Sequence, residues 1–206
     1  MQWLQRWRRQ RQRKRLRDES YAFLFDAPPK EEWVCFDCET THLNPRRAEL
    51  LSIGAVIIRQ TQILTSQRLS LLIKPSGAID QKSIVVHHLR HMDVHRGLAV
   101  DEAIERFVHF VGPRPLVGYY LEFDVAMIDK YLKPMLGIGL PNPRLEVSGL
   151  YYDKKQNRHQ PRPIDLRFQS ILRDLDLPTL GQHDAYNDAL MTAMMFVKLN
   201  YGKSTR

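Results

Sequence analysis

The sequence predicts an α/β fold layered around a mixed sheet, and three observations carry that expectation. A short, nearly continuous apolar run, Trp33-Val-Cys-Phe, ends in acidic residues, the mark of a strand covered on both faces. Two longer strand-like runs follow it across a turn at residues 59–62. Beyond Pro75 the pattern changes to helices alternating with short strands. At 206 residues with 43% hydrophobic content, the chain can bury a real core.

Taken in order, residues 1–26 form a basic arm and residues 27–32 a linker, because Pro28 and Pro29 together favour extended backbone. Residues 33–206 are read as one domain. Strands are expected at 33–37, 50–58 and 63–73. Asp101 is expected to cap a helix over 103–111, whose apolar stripe is Ile104, Phe107, Val108 and Val111. Leu116-Val-Gly118 reads as a fourth strand, 123–132 as a helix, and 145–147 as a weak fifth strand. Residues 154–163 are polar and proline-broken, hence a loop, and helices close the chain at 165–175 and 185–199.

The net charge of +8 is unevenly placed. Arg6, Arg8, Arg9, Arg11, Arg13, Lys14, Arg15 and Arg17 crowd the first 17 residues without an acid, leaving 23 basic against 23 acidic residues in the remainder. Such an arm attracts nucleic acid, an acidic partner or an anionic membrane surface, or simply extends a solvated helix. No apolar run reaches the roughly 20 residues of a membrane span, and the start lacks the apolar core of a secretory signal. Two cysteines, Cys35 and Cys38, are too few for a disulfide scaffold, so a reducing cytoplasmic location is expected.

Four acids stand out. Asp37 and Glu39 sit two apart at the end of the first strand and so point to one side of the sheet, where they repel unless a cation neutralises them. Asp124 shares a helix face with Met127, Ile128 and Tyr131, which makes it either a core-facing carboxylate or a helix cap. Asp188 is flanked by Ala185, Ala189, Thr192 and Ala193, small residues that let its helix approach the sheet. His183 can join Asp188 only from the loop before that helix, a placement that suits a general base.

Asp37-Cys-Glu-Thr-Thr41, Gly118-Tyr-Tyr-Leu-Glu-Phe-Asp124 and His183-Asp-Ala-Tyr-Asn-Asp188-Ala resemble the three motifs of the DEDD exonucleases, histidine branch. From about residue 33 to 199 the body resembles the DnaQ-like proofreading epsilon subunits of bacterial replicative polymerases. The resemblance implies a ribonuclease H-like fold with a mixed five-stranded sheet flanked by helices. It also implies a metal-dependent exonuclease that works 3′→5′ on single-stranded ends, DNA favoured, and releases nucleoside 5′-monophosphates. In such a family Asp37, Glu39, Asp124 and Asp188 hold two Mg²⁺ or Mn²⁺ ions and His183 activates water. Glu39 would meet the terminal 3′-hydroxyl, and the backbone of Thr40 and Thr41 the last nucleotide. Leu43 would wedge between bases, Phe123 would pack near the sugar, and His87 would lie near the strand; Leu43 and Phe123 read equally well as core or loop residues.

This chain departs from the family where His42 replaces a common glycine, and where Tyr119 and Tyr120 stand for the usual histidine and asparagine. Either tyrosine suits base stacking or the core. Cys35-x-x-Cys38 has metal-site spacing, but residues three apart on a strand face opposite ways. His87, His88, His91 and His95 lack the companions of a zinc site. Three other readings stay open: an RNA or short-oligonucleotide exonuclease, a polymerase-bound proofreading subunit, and a silent nucleic-acid-binding protein.

Overall fold

The computed structural model describes residues 2–77, 96–156, 163–181 and 183–202, with side chains in the first helix from Trp7 onward. His87 and the histidines around it lie outside the described residues. The elements are α1 (Gln2–Arg13), a 3₁₀ segment (Glu19–Phe25), β1 (Glu32–Thr40), β2 (Leu50–Arg59), β3 (Gln62–Leu72), α2 (Val100–Val111), β4 (Leu116–Gly118), α3 (Leu121–Leu136), β5 (Arg144–Glu146), α4 (Val147–Gln156), α5 (Phe168–Asp174) and α6 (Ala185–Tyr201). The five strands form one mixed sheet in the order β3-β2-β1-β4-β5. β2 runs antiparallel to β1 and β3, whereas β1, β4 and β5 run parallel. The expected five-stranded mixed sheet flanked by helices is therefore present.

The two faces of β1 sort its side chains. Val34, Phe36 and Cys38 enter a core shared with α2 and α3, with Phe36 and Phe107 ring centroids 4.9 Å apart. Cys35 joins the opposite core under α4, α5 and α6, where Trp33 packs tilted against Phe196 with ring centroids 5.3 Å apart. The two thiols thus lie on opposite faces, as strand alternation requires. At the start of β1, Glu32 is buried between Arg59 and Arg114, both at 2.7 Å, which leaves the acids at the other end of the strand without those cations.

Several local expectations are corrected. Ala99, not Asp101, is the N-cap of α2; Asp101 lies in its first turn, where its charge meets the positive helix end. α3 begins before Phe123, with Tyr120 as its N-cap, so Asp124 is a helix residue rather than a cap. Residues 154–156 belong to α4, a helix with a weak apolar pattern that buries only Val147, Ser148 and Tyr151. α5 starts at Phe168 because Asp165 is engaged by Arg167 and Ser170 outside the helix.

The segment before the linker is also more than an arm. Tyr21 and Leu24, from the 3₁₀ segment, are buried in the core under α2 and α3; Phe23 stacks on His109 and the Tyr21 ring packs tilted against it. Arg9 of α1 donates to the carbonyls of Leu24, Asp26 and Pro141. In sequence the charge of residues 1–17 outweighs the short apolar run Tyr21-Ala-Phe-Leu-Phe25, which docks on the body.

Candidate active site

The carboxyl ends of the parallel strands β1, β4 and β5 open on one side of the sheet, the usual crevice of an open α/β sheet. β1 pairs with β4 through Val34↔Leu116 and Cys35↔Val117, and β4 stops at Gly118. Past that point the N–H of Cys38 donates to the Asp124 carboxylate at 3.2 Å instead of to a strand. Asp124 is 4% exposed, so its charge lies inside the molecule at the edge of β1. A second carboxylate, Glu146 at the end of β5, accepts from the N–H groups of Tyr120 and Leu121 and fixes the start of α3.

From the other face comes α6. Asp37 pairs across the sheet with Gly54, and a Cβ at Gly54 would collide with the backbone of Ala185 and Tyr186. The first turn of α6 therefore rests directly on the sheet beside Asp37. Asp184 caps that helix through the N–H of Asn187 at 2.9 Å, and the Asn187 amide holds the carbonyl of Gly181. Between them His183 adopts a left-handed backbone, φ 59°, and its N–H donates to the Asp188 carboxylate at 3.0 Å. Ligand atoms of Glu39, His183 and Asp188 all come within 4.8 Å of one another.

The electrostatics show how unfavourable this cluster is without a cation. Burial and then the charges of Asp124, Glu39, Asp188 and Asp184 push the Asp37 carboxyl well above the carboxylate range. Asp124 is raised by burial in spite of its bond from Cys38. Burial beside Asp188 and Asp184 lifts Glu39 to about 8, and burial lifts Asp188 to about 6. None of the four forms an ion pair with Lys or Arg among the described residues. Clustered carboxylates of this kind are hard oxygen donors suited to Mg²⁺ or Mn²⁺.

The remaining candidate residues divide. Leu43, 88% exposed, and Tyr120, 64% exposed, belong to no core. Thr40 is buried and its hydroxyl donates to the carbonyl of His42, while His42 Nδ1 accepts from Asn44 and tightens the same loop. Thr41 both donates from its N–H to the Glu49 carbonyl and accepts from the Glu49 N–H. Tyr119 is half-buried, with its hydroxyl on the Leu166 carbonyl and its ring edge-on to Phe168, so it is built into the wall. Phe123 packs on the core beneath α3.

Sequence reasoning missed three contributors. Asp184 had a readable signal, a capping acid three residues before Asn187 and just ahead of a helix. Glu146 and Gly54 had none, because each acts only on an element brought to it by the fold.

A family model described as RNase_T exonuclease matches residues 34–196. The PolC-type DNA polymerase III of Thermotoga petrophila is 26% identical over 183 residues, covering 89% of this chain and 13% of that protein. The DNA polymerase III subunit epsilon of Aquifex aeolicus is 26% identical over 167 residues, covering 81% and 79% respectively. The chain thus spans about an eighth of the PolC-type relatives but most of the epsilon subunit. Among solved structures, cell-death related nuclease 4 aligns with a TM-score of 0.71 at 15% identity, over 83% of this chain and 64% of that one. The zinc-bound E. coli exonuclease I–single-stranded DNA complex aligns with a TM-score of 0.71 at 14% identity, over 85% and 42%. The shared architecture is the ribonuclease H-like fold.

Proposed function

We propose that this chain, which belongs to the RNase_T exonuclease family, hydrolyses phosphodiester bonds one nucleotide at a time from single-stranded 3′ ends, DNA in preference. The observation that carries the reading is the convergence of Asp37, Glu39, Asp124 and Asp188 from three elements, with carboxyls held above their ordinary range and no Lys or Arg ion pair among the described residues. Exonuclease I, whose structure was solved with single-stranded DNA, supports the substrate by likeness of fold. The Aquifex relative supports DNA by its name.

In this reading the four carboxylates hold two Mg²⁺ or Mn²⁺ ions. Bound there, the ions supply charge to the phosphoryl and leaving oxygens and acidify the attacking water. His183 takes the proton from that water. Its place on the turn before α6, exposed but tied by its N–H to Asp188, lets the imidazole meet solvent at the carboxylate cluster. Glu39 receives the terminal 3′-hydroxyl, and the backbone of Thr40 and Thr41 positions the last nucleotide. Leu43 and Tyr120, both exposed beside the cluster in sequence, provide apolar surface for the final bases. Tyr119 shapes the wall, and Phe123 backs the sugar side; His87 is assigned to a strand contact.

The test is polarity and product. Matched 5′-labelled and 3′-labelled strands of DNA and RNA, incubated with Mn²⁺, should show a 5′-labelled DNA ladder shortening from its 3′ end and release of 5′-mononucleotides. Shortening from the 5′ end, or internal cuts alone, would overturn the reading.

A further inference from the structure

From Trp7 onward, α1 and the turn that follows it are fastened to the body by one side. Arg9, Gln12, Arg13 and Leu16 are half-buried. Arg9 and Gln12 bond the carbonyls of Pro141 and Gly139, and Arg13 pairs with Glu19. Beyond the helix, Arg17 donates from its N–H to the Leu136 carbonyl and from its guanidinium to the Pro134 carbonyl. Every one of these anchors lies at or after the last turn of α3, or in the 3₁₀ segment. The other side carries Trp7, Arg8 and Arg11, and the turn after the helix adds Lys14 and Arg15, all exposed. Arg11 lies over the Trp7 ring at 5.3 Å, and none of these four cations forms an ion pair among the described residues.

We propose that this outward face is a second strand-binding site, which grips the phosphates of the same nucleic acid well away from the carboxylate cluster. The proposal rests on the reading that the substrate is a single strand. Charge complementarity names the occupant, because four unpaired cations with an aromatic ring among them match a polyanion with exposed bases. A helix lying in a membrane buries a broad apolar face, whereas from Trp7 onward this face carries four exposed cations beside the one ring. Distance fixes the consequence. Asp124 stands near the start of α3 and the anchors at its end, about 18 Å along the helix axis. A stacked strand advances about 3.4 Å per nucleotide, so roughly five nucleotides or more must separate the two sites. Strands of three nucleotides reach only one of them.

The test uses the full chain, because Tyr21 and Leu24 make deletion of the arm a folding defect. Fluorescent dT3 and dT20 are titrated in EDTA over a salt series, with wild type and with the variant Arg8→Gln, Arg11→Gln, Lys14→Gln, Arg15→Gln. Each phosphate contact adds roughly 0.7 to the salt slope, so the variant should lower the dT20 slope by up to about 3 and weaken dT20 at low salt at least tenfold. Binding of dT3 and its hydrolysis in Mn²⁺ should not change. An all-lysine version of the same four positions should restore the slope, which separates charge from misfolding. Equal dT20 slopes overturn the proposal. So does loss of binding to phosphatidylserine vesicles with dT20 binding intact, which would make the face a lipid contact. If wild type binds dT20 with the arm-dependent slope yet cleaves nothing, the second site stands and the exonuclease reading fails.

Discussion

Gly54 on β2 touches the backbone of Ala185 at the start of α6, and Gly54 is also the cross-strand partner of Asp37. One missing side chain therefore sets how closely Asp188 approaches the strand that carries Asp37 and Glu39.

Gly54→Ala follows as the first prediction. The added methyl forces α6 off the sheet, and overpacking of this kind costs roughly 1–3 kcal/mol. Hydrolysis should fall far more than stability does, by at least about 100-fold, with weakened Mn²⁺ binding by calorimetry. Wild-type metal affinity and turnover in this variant would show that the contact does not position the site.

Stability of the metal-free protein should fall as pH rises. Glu39 moves from an ordinary 4.5 to about 8, and Asp188 from 3.8 to about 6, so the folded chain keeps protons that the unfolded chain releases. Their contribution is fully present below about pH 4 and is lost as pH climbs through about 6 and then about 8. Melts in EDTA should show the midpoint dropping by several degrees across this window, and saturating Mn²⁺ should reverse the drop at pH 8. A flat profile in EDTA would contradict the electrostatics.

His183 is predicted to act on water. His183→Asn keeps the left-handed backbone at φ 59°, which asparagine tolerates, and removes the base. The kcat should fall about 10²–10⁴-fold. Because the imidazole also lies within reach of Glu39 and Asp188, Mn²⁺ affinity is measured alongside; lost affinity with normal kcat at saturating Mn²⁺ would make His183 a ligand instead.

Leu24→Ala should destabilise the protein by about 2–5 kcal/mol, as truncation of a buried leucine does. At roughly 2–4 °C per kcal/mol, the melting midpoint should drop by at least about 4 °C. An unchanged midpoint would return residues 19–25 to a detached arm.

Much of this was legible in sequence because it follows from period alone. Alternation puts Asp37 and Glu39 on one face and separates Cys35 from Cys38, and the α3 stripe carries Asp124 inward. What escaped depends on contacts between distant segments. Leu24 belongs to the short apolar run Tyr21-Ala-Phe-Leu-Phe25, whose docking place exists only once α2 and α3 cover it, and α4 shows too little apolar period to be read from Val147-Ser-Gly. The collision at Gly54 and the Glu146 bonds to α3 exist only once β2, β5 and the helices are assembled.

The central claim is that the converged carboxylates work through divalent cations. Its most direct measurement is hydrolysis of 5′-labelled dT20 during Mn²⁺ titration, for wild type and Asp37→Asn, with EDTA as the endpoint. The account predicts a ladder that appears with Mn²⁺ in wild type, vanishes in EDTA, and stays absent in Asp37→Asn at every Mn²⁺ concentration although the variant folds. A full ladder in EDTA, or wild-type rates from Asp37→Asn, would contradict it.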